Sequence, residues 1–182
     1  LGGFLRASVI LPVLAGACVA HHPYPEHWAT PAAPASDDCR PVAGTYRDRG
    51  EMPGSSAQPS LTNELLGYHS GWGAATEVSL AFSTSDAMQI VVSGAGGELS
   101  RHTFVAESGE FACDGGRAVV RLRRRIAANV VIGRQSIVYE LEGSEDHLVV
   151  RYQERALVLM FLLPIPGTTS GWYRFQRLSD GL

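Results

Sequence analysis

From Cys39 onward apolar and polar residues alternate with period two, and that alternation limits the fold more than any other feature of the chain. Val78, Leu80 and Phe82 alternate with Glu77, Ser79 and Ala81, and Met88, Ile90 and Val92 repeat the pattern. The run Gly94-Ala95-Gly96-Gly97 then turns the chain into residues 99–105, which reads as a β-hairpin. Residues 111–113 lead into the turn Asp114-Gly115-Gly116. Segments 117–126, 130–132, 137–141, 148–152, 156–163 and 172–178 continue the series. Such spacing without intervening helices predicts a mainly β fold, an antiparallel barrel or sandwich of about eight strands. One short helix is expected, with Ser60 as its cap, Leu61, Leu65 and Leu66 on one side and Gly67 closing it. Residues 47–59 read as an exposed loop.

The chain has 182 residues, of which 45% are hydrophobic, enough for one domain with a substantial core. A net charge of −3 argues against nucleic acid as a partner. All 15 basic residues are Arg, a bias of the whole chain, so arginine number alone is no sign of phosphate recognition.

The N-terminal stretch differs in kind. Arg6 precedes an apolar run over residues 7–20, broken by Pro12 and ending in small residues, which is the grammar of an export signal. The run is short of the ~20 residues a spanning helix needs. Val13-Leu14-Ala15-Gly16-Ala17-Cys18 resembles the lipobox of bacterial lipoproteins, in which the cysteine is acylated and becomes the first mature residue. The resemblance implies that role for Cys18, although the usual leucine position holds Ala15. Ala15-Gly16-Ala17 is also an A-x-A site for ordinary signal cleavage, which would leave Cys18 a thiol. In such lipoproteins an Asp after the cysteine often retains the protein in the inner membrane. Val19 here implies the outer membrane, facing the periplasm. The organisation expected is a signal over 1–17, a lipidated cysteine and Pro-rich tether over 18–38, and one β domain over 39–182. With Cys18 acylated, Cys39 and Cys113 remain to form a disulfide in an oxidising compartment, the alternative being two buried thiols.

The tether holds His21, His22 and His27, but a Pro-rich segment does not fix ligand geometry and no carboxylate or cysteine set completes a site, so no metal is expected. Tyr24 and Trp28 rest either at a membrane interface or against the domain. No G-x-S-x-G, H-E-x-x-H or Walker-type loop occurs, and the scattered acids have no pairing that compels acid–base roles. His69-Ser70-Gly71-Trp72-Gly73 reads as a Gly-rich loop with Trp72 packing. Neither enzymatic activity nor a cofactor is expected.

Two features carry binding chemistry. Arg117, Arg121, Arg123 and Arg125 share one face of a strand, with Arg124 opposed. They form either a solvated outer face or an anion-binding stripe for lipid phosphate, which arginine forks suit. Residues 156–163, followed by Pro164-Ile165-Pro166, are the most apolar stretch after the signal. They form either a doubly buried strand or one whose outer face meets lipid or a partner. Gly44-Thr45-Tyr46 with Arg174 faintly resembles the Gly-x-Trp and late Arg that close one end of lipocalin barrels. Cys18, Cys39, Gly44, Tyr46, Cys113-Asp114-Gly115 and Trp172-Tyr173-Arg174-Phe175 together resemble small uncharacterised proteobacterial lipoproteins. The function expected is a membrane-anchored envelope lipoprotein whose β domain is an interaction or structural module, with an envelope protein or lipid as partner. The alternative is a lipocalin-like carrier of a small apolar ligand.

Overall fold

The computed structural model describes residues 18–29, 38–128, 131–160 and 163–178. The signal expected over 1–17 lies outside the described residues. Ten strands form a single sheet: β1 (Cys18–His21), β2 (Gly44–Arg47), β3 (Ala75–Thr84), β4 (Ala87–Gly94), β5 (Gly97–Val105), β6 (Phe111–Asp114), β7 (Arg117–Ala128), β8 (Val131–Gly143), β9 (His147–Met160) and β10 (Leu163–Leu178). The order β5-β4-β3-β2-β10-β9-β8-β7-β6 is antiparallel throughout. Two meanders are thus joined where β2 meets β10. From β2 onward successive strands are neighbours except at the β5–β6 step, where the sheet is open, and β1 pairs with β10 instead of β2. The mainly β, antiparallel expectation holds, with ten strands in place of about eight, and the sheet is not closed into a barrel.

The predicted hairpin is β4–β5, with Gly94 opposite Gly97. The predicted helix is α1 (Leu61–Leu66), capped by Ser60, whose Oγ accepts from the Asn63 amide at 3.2 Å, and closed by Gly67 at φ 86°. Buried Asp48 fixes the entry to α1: its carboxylate accepts from Ser60 Oγ at 3.0 Å and from the Thr62 amide at 2.9 Å. Leu61 and Leu65 then enter one contiguous core with Tyr46, Val78, Met88, Ile90, Phe111, Tyr139, Leu148 and Phe175. Phe82 on β3 meets Phe111 on β6 at 5.9 Å between ring centroids, so the sheet curls until its two halves share this core. Cys39 and Cys113 are disulfide-bonded.

Strand lengths differ from those expected. The described part of segment 130–132 (Val131 and Ile132) and segment 137–141 belong to one strand, β8, and segments 148–152 and 156–160 to another, β9. The polar stretches Arg134-Gln135-Ser136 and Gln153-Glu154-Arg155 look like breaks but are strand that has run past the core. No buried face is present there to impose apolar alternation. β10 likewise begins at Leu163, before Pro164 and Pro166. Ser170 turns its carbonyl toward the His22 amide on the side opposite β9 (3.0 Å), and the two-residue period puts both proline nitrogens on that same side. Among the described residues β1 pairs only with Gly167–Ser170, so the prolines interrupt no described ladder.

Residues 18–29, read from sequence as part of a spacer, pack on the sheet instead of hanging free. β1 runs parallel to β10, with Cys18 in register with Gly167. Tyr24 meets Trp172 edge-on at 4.9 Å, and the Arg174 guanidinium lies 4.7 Å from the centre of the Trp28 ring, which is only 4% exposed. Of the two settings foreseen for Tyr24 and Trp28, the structure places them against the domain.

Candidate functional site

Residues alternate across each strand, so the burial of Ala118, Val120, Tyr139, Leu141, Leu148, Val150 and Phe175 fixes which face of β7–β10 looks inward. Odd positions of β7 and β9 and even positions of β8 and β10 therefore form the outer face. Arg117, Arg121, Arg123 and Arg125 all lie on it and are exposed, as their spacing predicts. They are not equivalent. Arg117 pairs with Glu142 at 2.6 Å, whereas Arg121, Arg123 and Arg125 make no ion pair among the described residues. Arg124, on the inner face, donates to the carbonyls of Glu64 (2.7 Å) and Asn63 (3.3 Å). It thus serves the C-terminal end of α1, where a cation is favoured.

Two further arginines complete the outer cluster, and neither is legible as part of it from spacing along one strand. The β7–β8 register sets Arg125 opposite Arg134, and Arg123 opposite Ser136. The β8–β9 register sets Ser136 opposite Arg155 and Arg134 opposite Leu157. Arg121, Arg123, Arg125, Arg134 and Arg155 thus share one face of three adjacent strands. Two adjoining open depressions run along it, of about 640 and 350 Å³, and share Arg123 and Ser136. Among the described residues Glu110 is the one acid lining either of them. Like charges directly opposed across a ladder are unfavourable, so the Arg125–Arg134 pair costs stability unless an anion sits between them. Guanidinium forks match phosphate and carboxylate oxygens in pairs, so anions are the ligands that suit the chemistry of this face.

Beyond the arginines the described ends of β8, β9 and β10 form an apolar tip. Ile132 (61% exposed), Leu157 and Leu159 lie on the arginine face. Leu163 (66% exposed) and Ile165 project from the other face of β10. Residues 156–163, as far as they are described, are therefore not a doubly buried strand.

The inner face carries a polar cluster that sequence patterning does not reveal. Tyr139 donates to Glu64 Oε2 at 2.7 Å, and Tyr152 stacks on Tyr173 at 4.7 Å between centroids. Burial raises the Glu64 pKa, against the lowering effects of the Tyr139 hydrogen bond and the nearby Arg124 charge. A carboxyl whose proton affinity is higher folded than unfolded contributes stability that is complete below its ordinary value of 4.5 and lost as pH rises through the folded value. Melting curves are therefore expected to show stability falling as pH rises above 4.5, with Glu64→Gln flattening that fall while keeping an acceptor for Tyr139. A slope identical in wild type and Glu64→Gln would remove Glu64 as its source.

At the lipocalin-like positions, Tyr46 is fully buried and donates to the Val42 carbonyl at 2.8 Å. Arg177, not Arg174, lies over its ring, 5.5 Å from the centroid, and Arg177 also donates to the carbonyls of Ser144, Ala43 and Pro41. Arg174 instead lies over Trp28 and pairs with Glu51 at 2.6 Å. His69 Nδ1 accepts from the Gly71 amide at 3.1 Å and Trp72 Nε1 donates to the Gly67 carbonyl at 2.9 Å, so this loop is held by local bonds. Among the described residues no group of three or more His, Cys, Asp or Glu could hold a metal ion. No helix there is long and apolar enough to cross a membrane. No family model, curated protein or solved structure matches the chain.

Proposed function

We propose that the chain is an envelope lipoprotein, anchored at Cys18, whose β domain acts as an interaction or structural module of the outer membrane on its periplasmic side. The observation carrying this reading is the lipobox-like run ending at Cys18, together with the position of that residue. Cys18 opens β1 in register with Gly167, two residues from exposed Ile165, so an acyl chain there would leave the domain beside its apolar tip. The Cys39–Cys113 bridge agrees with an exported chain. A carrier finds support in the meander order and in Arg177 over Tyr46. A carrier also needs an internal cavity, whereas large side chains contributed by both meanders and α1 meet inside this sheet. The exposed arginine and apolar surfaces lie outside that core, as an interaction module requires.

The test is the mass and fractionation of the exported protein. The expected mature form begins at Cys18, carries acyl mass and stays with membranes through a high-salt wash, while Cys18→Ser carries none and is washed off by high salt. An unmodified Cys18 in the mature wild type would overturn the reading.

A further inference from the structure

The far end of β7–β10 has a layered chemistry that a solvated sheet face does not need. Nearest its extremity among the described residues, Ile132, Leu159 and Leu163 are exposed, with Leu157 and Ile165 two residues further in. Arg125 and Arg134 begin at the level of Leu157, and Arg123, Arg155 and then Arg121 follow toward the core. Two residues of strand span roughly 7 Å, so the cationic band starts about that far behind the apolar extremity. Outer-face positions 121–127 of β7, 132–138 of β8, 153–159 of β9 and 164–170 of β10 contain no Asp or Glu. The net charge of the chain is nonetheless −3, so this local excess is a segregation of charge and not a property of the whole surface.

We propose that this end docks edge-on into an anionic lipid bilayer. The apolar tip enters the boundary between headgroups and acyl chains, and Arg121, Arg123, Arg125, Arg134 and Arg155 bind headgroup phosphates. Interfacial elements bury apolar surface ~5–10 Å deep with cations at headgroup level, which matches the order seen along these strands. Apolar side chains on both faces of the tip suit insertion edge-on better than apposition to a flat protein surface. Phosphates between Arg125 and Arg134 would also relieve the repulsion their register builds in. The inference rests on the anchoring reading only for how the tip reaches the bilayer, since acylated Cys18 would hold it there.

The test uses the full chain carrying Cys18→Ser, so that no acyl group contributes, in co-sedimentation with vesicles of phosphatidylcholine alone or mixed with phosphatidylglycerol. The N-terminal apolar run is common to every variant and drops out of the comparison. Tighter, salt-sensitive binding to the mixed vesicles is expected. The variant R123Q/R125Q/R134Q/R155Q should weaken it by on the order of a hundredfold or more, at about fivefold per arginine. Its melting temperature should be unchanged or higher, because exposed like charges have been removed. I132S/L159S/L163S should weaken binding to both vesicle types. Equal binding to the two vesicle types, or arginine or apolar variants that bind like wild type, would overturn the docking. Neither result would touch the acylation of Cys18, which is read independently by mass.

Discussion

Removing the Cys39–Cys113 bridge is expected to lower the stability of the domain by about 4 kcal/mol, because the crosslink constrains a long loop of the unfolded chain. The two residues are 74 apart in sequence. For a domain of this size the loss corresponds to a melting temperature lower by on the order of 10 °C. The location makes the effect structural as well as entropic. Cys113 lies on β6, a four-residue strand whose one ladder partner among the described residues is β7 and whose other side faces the open β5 step. Cys39, 2% exposed, precedes the short turn Arg40–Val42 that leads into β2. The bridge therefore pins the edge of one meander to the start of the other. Cys39→Ala, Cys113→Ala and reduction of the wild type should give nearly the same loss. Two titratable thiols at these positions in exported protein, or strongly unequal losses, would mean the bridge is not what stabilises this corner.

Where residues meet the core, sequence reads the fold well. Val78, Leu80, Met88, Ile90, Val92, Val120 and Leu148 are all buried where period two puts them. Ser60, Leu61, Leu65 and Gly67 mark α1 correctly because cap, apolar side and stop are local to a few residues. The same parity sorts Arg121, Arg123 and Arg125 from Arg124. Legibility fails where the determining contact is distant in sequence. The pairing of β2 with β10, and hence the open step between β5 and β6, depends on which strands meet, and alternation carries no information about that. Arg134 and Arg155 join the cationic face through cross-strand register, which a single chain does not display. The sheet-bound setting of residues 18–29 comes from Trp172 and Arg174, more than 140 positions from the aromatic groups they hold. β8 and β9 look broken because their outer ends have no core to face. That missing alternation is the trace such an arm leaves in sequence, and it coincides with the arginine cluster.

Gly143→Ala is expected to cost about 3 kcal/mol or more, an unusually large effect for adding one methyl group. Gly143 ends β8 and sits against the turn that follows Cys39. A Cβ built there would fall inside the Pro41 carbonyl group, 2.5 Å from its carbon, and 2.9 Å from Val42 Cα. These are backbone atoms, so no rotamer change makes room, and the segment itself must move. That segment has little freedom. Val42 is fully buried, Cys39 is crosslinked, and Arg177 ties the carbonyls of Pro41 and Ala43 to that of Ser144, the residue after Gly143. Displacing it would pull Val42 from the core and loosen the β2–β10 junction, where Tyr46 pairs with Arg177. Gly96→Ala, with no neighbouring atom within 4 Å of the added carbon, is the matched control and should stay within about 0.5 kcal/mol of wild type. Equal denaturation midpoints for the two variants would show that the Pro41–Gly143 approach leaves room for a side chain and does not hold the turn in place.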